Sequence, residues 1–116
     1  MPVYTNQVNA VIANGGSLSP AVELGGRWSL VGIKYPSAWT PAVLTFQVSF
    51  DGSTYDTLLD DAGNAISKTV SADQYRELDS SEFKSAVFIK LRSGTAAAPV
   101  AQLAECTFTL SKRRYI

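Results

Sequence analysis

The chain has 116 residues, 46% of them hydrophobic and 17% charged, which suits one packed domain that needs neither disulfides nor metals to stand. Ten basic and ten acidic side chains cancel, so no global field draws the protein to nucleic acid or to an anionic membrane. No apolar run approaches the roughly 18 residues a membrane span needs, and Met1-Pro2-Val3-Tyr4 lacks the basic and apolar regions of a signal peptide, so synthesis in a reducing cytoplasm is expected.

In chain order, Val8 to Ile12 is a first predicted strand, closed by Asn14-Gly15-Gly16-Ser17. Ala21 to Leu24 is a short second one ending at Gly25-Gly26, and Trp28 to Lys34 a third, with Trp28 assigned to the core. The two prolines of Tyr35-Pro36-Ser37-Ala38-Trp39-Thr40-Pro41 forbid a central strand and mark a loop. Val43 to Phe50 is the next predicted strand, alternating from Leu44 onward, which places Leu44, Phe46, Val48 and Phe50 on one buried face. Asp51-Gly52 is a tight-turn dipeptide leading to a strand at Thr54 to Leu58, and the turn Asp60-Asp61-Ala62-Gly63-Asn64 leads to Ala65 to Val70. Tyr75 to Leu78 is another predicted strand, followed by one helical turn over Asp79 to Phe83 capped by Asp79 or Ser80. Ala86 to Arg92 and Ala104 to Lys112 complete the set around the loop Ser93 to Pro99, with Cys106, Phe108 and Leu110 inward and Cys106 a buried apolar filler. About eight or nine short strands with no long helix and no internal repeat predict one all-β domain over residues 1–116, an antiparallel β-sandwich of jelly-roll type; a closed barrel is the alternative.

With no histidine in the sequence, the commonest general base and the usual Ser-His-Asp and Cys-His nucleophile systems are missing. The carboxylates Asp51, Asp56, Asp60, Asp61, Asp73, Asp79, Glu82 and Glu105 show no paired or metal-ligand spacing. The aspartate-rich stretch 51–64 raises a calcium site, but its residues are turn formers and no twelve-residue calcium loop is present. No enzyme activity, cofactor or metal is therefore expected. The candidate contact residues are the loop aromatics Tyr35, Trp39 and Tyr55, with Tyr75 beside them, and the basic end Lys112-Arg113-Arg114-Tyr115-Ile116, whose Arg113, Arg114 and Tyr115 are placed to dock on an acidic neighbour.

Ile33-Lys34-Tyr35-Pro36-Ser37-Ala38-Trp39-Thr40, Leu44 through Gly52 and Ile89 through Thr95 resemble small structural proteins encoded in tailed bacteriophages and prophages, over roughly residues 28 to 111. The resemblance implies a non-catalytic virion protein, a capsid decoration or head-fibre or spike-base subunit. Its partners would be the major capsid protein or other virion proteins and copies of itself, met through edge strands and the segment Met1 to Asn6. A tail, baseplate or connector component is the nearest alternative. Phe46 to Leu58 also resembles discoidin-like and carbohydrate-binding sandwiches, an alternative that requires Trp39 with Tyr35 or Tyr55 on a common exposed face.

Overall fold

A computed structural model of the chain describes residues 3–115. Nine strands are found there: β1 (Val3–Ile12), β2 (Val22–Glu23), β3 (Ser29–Lys34), β4 (Val43–Ser49), β5 (Asp56–Thr57), β6 (Lys68–Thr69), β7 (Tyr75–Glu77), β8 (Phe88–Ser93) and β9 (Cys106–Tyr115). They form two antiparallel sheets, one ordered β1-β9-β3-β7 and the other β2-β8-β4-β5, with β6 on the same side of β4 as β5. Leaving β6 aside, the partners run β1 with β9, β2 with β8, β3 with β7 and β4 with β5. Each strand thus pairs with its counterpart from the other end of the chain. This is a long hairpin rolled into two layers, the jelly-roll arrangement.

The core lies between the layers because alternate side chains of both sheets point there. Ala10, Ile12, Leu30, Ile33, Cys106, Phe108 and Leu110 come from the first sheet, and Leu44, Phe46, Ile89 and Leu91 from the second, all at 1% exposure or less. Phe83 closes one side, its ring edge-on to Phe46 at 5.1 Å. It is carried by the single 3-10 turn Ser80–Phe83, whose cap Asp79 accepts the Ser81 amide as the sequence leads one to expect.

Phe50 departs from the expected pattern: it is 79% exposed, and Val48 is only partly buried. β4 ends at Ser49, whose hydroxyl accepts the Asp51 and Gly52 amides at 3.2 and 2.9 Å. The chain has turned before Phe50, so alternation no longer governs it. Thr45, which alternation places outward, is fully buried because the Arg92 side chain lies against it, Nε donating to Thr45 Oγ1 at 3.0 Å. The predicted strands at 21–24, 54–58 and 65–70 shrink to two residues each, whereas the first and last lengthen to ten.

Gly94 turns the chain out of β8 with a φ of +88°, and a Cβ there would sit 2.4 Å from the Ala98 carbonyl oxygen and 2.9 Å from the Val100 nitrogen. Both obstacles are backbone, so relief requires moving the loop. Gly94→Ala is expected to lower stability by about 1–3 kcal/mol, measured as a shift of the urea midpoint at unchanged slope.

Candidate functional site

The loops at one end of the sandwich are tied by a buried glutamine. Gln102 is fully buried, its Oε1 accepting the Thr40 amide at 2.7 Å and its Nε2 donating to the Thr40 carbonyl at 3.0 Å and to Ser93 Oγ at 2.7 Å. Its backbone donates to Gly16 O and accepts from Gly15 N. The side chain thus imitates a strand partner for the 35–42 loop, and with its backbone bonds this one residue joins the loops 13–17, 35–42 and 94–105. This clamp positions Trp39, whose Nε1 donates to the Ala42 carbonyl at 3.1 Å and whose ring stands edge-on to Phe108 at 5.4 Å.

The exposed part of Trp39 borders an open depression of about 540 Å³ lined by Ser37, Trp39, Pro41, Val43, Val70 and Ala72, among others. Tyr35 does not join it. It is 3% exposed and packs edge-on to Phe108 at 6.2 Å, with burial raising its phenol pKa against the opposing pull of Arg76. Tyr35 is thus a core residue, correcting its assignment as a contact residue: the loop turns inward before Pro36. Tyr55, just before β5, is not part of the depression's lining and has the Lys90 ammonium 4.2 Å above its ring, so the three aromatics are not gathered around one depression.

The basic end is ordered strand as far as Tyr115. Lys112 is buried, its Nζ donating to Leu24 O at 3.0 Å and lying 4.9 Å from the centre of the Trp28 ring. Arg114 stacks between Tyr4, at 4.8 Å, and Trp28, at 5.2 Å. Trp28 is accordingly half-buried under two cations rather than in the core, where its sequence neighbourhood had placed it. Arg113 is exposed. The Tyr115 backbone pairs with Val3, while the Tyr115 side chain, Met1, Pro2 and Ile116 lie outside the described residues.

Asp51, Asp60 and Glu82 are engaged locally. Asp51 Oδ1 accepts the Ser53 and Thr54 amides and the Ser49 hydroxyl, and these bonds, the Thr54 amide foremost, hold its carboxyl below the ordinary carboxylate range. Asp60 Oδ1 accepts the Ala62 and Asn64 amides. Both residues are turn formers, as expected. Glu82 pairs with Lys68 at 2.7 Å beside a shallow cleft that also receives Asp60 and Asp61. Cys106 is fully buried and its thiol is pushed up by desolvation, the opposite of an activated nucleophile. Among the described residues no three of His, Cys, Asp and Glu converge as a metal-ligand group. The sequence pattern missed two features, the Gln102 clamp and the length of β1, neither of which carries a periodic apolar signal.

The sequence matches no family model and no curated protein. Among solved structures, the chain is similar to the SPBc2 prophage-derived protein YomS, with a TM-score of 0.63 and 12% identity over 97% of this chain and 96% of that one. A second match is the Yersinia pseudotuberculosis-derived mitogen, with a TM-score of 0.41 and 9% identity over 97% of this chain and 86% of that one. At such identities the likeness to YomS concerns the fold, a β-sandwich spanning essentially the whole of both chains.

Replacing Gln102 by Leu preserves volume but strands the Thr40 amide and carbonyl; a loss of about 2–3 kcal/mol is expected by chemical denaturation. Asp51 binds its proton less tightly folded than unfolded, so its contribution is fully present above about pH 4 and is lost as pH falls through the lowered folded value. Asp51→Asn is therefore expected to be less stable than the parent at neutral pH, with the difference narrowing as acid is added, in melting curves recorded across that range.

Proposed function

We propose that this chain is a non-catalytic structural protein of a bacteriophage or prophage particle, a capsid decoration or head-fibre or spike-base subunit that works through protein contacts and is assembled in the bacterial cytoplasm. The observation that carries this reading is the fold shared end to end with a prophage-derived protein, together with the sequence resemblance to small phage structural proteins. The side chains support it: Asp51 and Asp60 are engaged in turns and Glu82 in an ion pair, the thiol is buried, and the two most exposed large apolar side chains sit on loops. Phe50, at 79% exposure, lies in the turn after β4, and Leu103, at 78%, in the loop before β9. Neither ring nor branch contributes to the core, and apolar groups so placed gain free energy when a neighbouring subunit covers them.

A tail, baseplate or connector position requires the same properties, and location separates it from a head position. The carbohydrate-binding alternative loses its main support, because Tyr35 is internal and Trp39 and Tyr55 face different surroundings. Mass spectrometry of separated heads and tails from induced particles is expected to find the protein with heads. Its absence from both fractions would refute the proposal, and its presence in tails alone would assign it to the second location. Purified protein is also expected to co-sediment with capsids and to leave a glycan array unbound; glycan binding abolished by Trp39→Ala would instead favour the sugar-binding class.

A further inference from the structure

We propose that the free side of β1 is a docking edge for a second copy of this chain, which adds its own β1 antiparallel across a two-fold axis and continues the four-stranded sheet into the partner. The proposal rests on the reading of the chain as a subunit of an assembly and names the surface and the partner that reading leaves open.

An exposed strand edge is a row of unsatisfied backbone donors and acceptors, and monomeric proteins blunt such edges by shortness, charge, proline or a bulge. The other edges of this sandwich are defended in that way. β7 has three residues and carries Arg76 and Glu77. β2, β5 and β6 have two residues each and carry Glu23, Asp56 and Lys68 respectively. β1 has none of these defences. It runs for ten residues, Val-Tyr-Thr-Asn-Gln-Val-Asn-Ala-Val-Ile, without a charge, a proline or a glycine. Its register against β9 is unbroken from Val3–Tyr115 to Ile12–Cys106, so no bulge turns it away. No described strand pairs with its other side.

The hydrogen bonds show which groups are offered. The Gln7 amide donates to Asn6 Oδ1 at 2.8 Å, an exposed side chain on its own strand, so it faces away from β9. Alternation in an antiparallel ladder gives the backbones of Thr5, Asn9 and Val11 the same outward direction. The absence of charge is what admits a second copy. A two-fold axis at Gln7 sets that residue opposite its own copy and Thr5 opposite Asn9, so a charged residue near the axis would meet its like. Here Thr5, Gln7 and Asn9 meet polar amides and hydroxyls on the outer face and Val8 lies near its own copy, and two chains of zero formal net charge approach without mutual repulsion. Asn6 Oδ1 must release the Gln7 amide, an exchange of one exposed bond for another.

The test is sedimentation velocity on the full chain over a concentration series, with Gln7→Pro and Gln7→Lys. Proline removes an outward donor but no bond to β9, and lysine sets like charges across the axis without altering the backbone. The parent is expected to show a concentration-dependent dimer, and both variants to weaken it by roughly tenfold or more while melting cooperatively. Should Gln7→Pro fail to fold, Gln7→Lys decides alone. Hydrogen exchange on the parent is expected to protect Thr5, Gln7 and Asn9 amides at high concentration only. A parent that sediments as a monomer throughout, or a dimer undiminished in the folded variants, overturns the proposal. Finding the monomer in purified particles would leave the virion role standing without this edge, including the case in which another protein protects those amides there. A dimer that never enters particles would leave the edge standing and remove the virion role.

Discussion

The ladder between β1 and β9 is the constraint on which the rest of the molecule depends. It joins the two ends of the described chain in ten consecutive pairs, and it brings near the inner pairs of long separation, β2 with β8 and β3 with β7. β9 also pairs with β3 on its other side, so it is the spine of the first sheet. The core follows from that placement: Phe108 near the start of β9 stands edge-to-face with Tyr35 and Trp39, fixing both the direction of the 35–41 loop and the depression beside it.

At the end where the loops gather, the clamp at Gln102 supplies what strand pairing cannot. Loops carry backbone groups that must be satisfied somewhere, and here a single amide side chain satisfies a donor and an acceptor of Thr40 together. At the opposite end residues 4–7 of β1 are exposed, and Leu24 and Trp28 lie against Lys112 of β9 beside them. Cation–aromatic stacking of Arg114 between Tyr4 and Trp28 takes over part of the work that apolar burial does elsewhere. One end is therefore held by hydrogen bonds between loops and the other by stacked rings and charges.

The fold class was legible because Leu44, Phe46, Cys106, Phe108 and Leu110 obey an alternation imposed by the two-layer core. The start of β1 was not, because Tyr4 to Gln7 are exposed and so carry no apolar period. Phe50 misled for the converse reason, an apolar residue in phase with a strand that has already ended. The loop position of Trp39 and the turn-forming roles of Asp51 and Asp60 could be read from local chemistry. Tyr35 could not, since only the three-dimensional path of its loop sends it inward, and the clamp at Gln102 acts across 62 positions of sequence with no local trace.

Because β9 lies between β1 and β3 in its sheet but follows both by a long stretch of chain, neither of those strands has its proper neighbour until β9 has been made. Contacts of such long sequence separation make for slow folding and a prolonged exposure of half-finished intermediates. For this architecture β9 acts as a keystone, set between two strands made well before it.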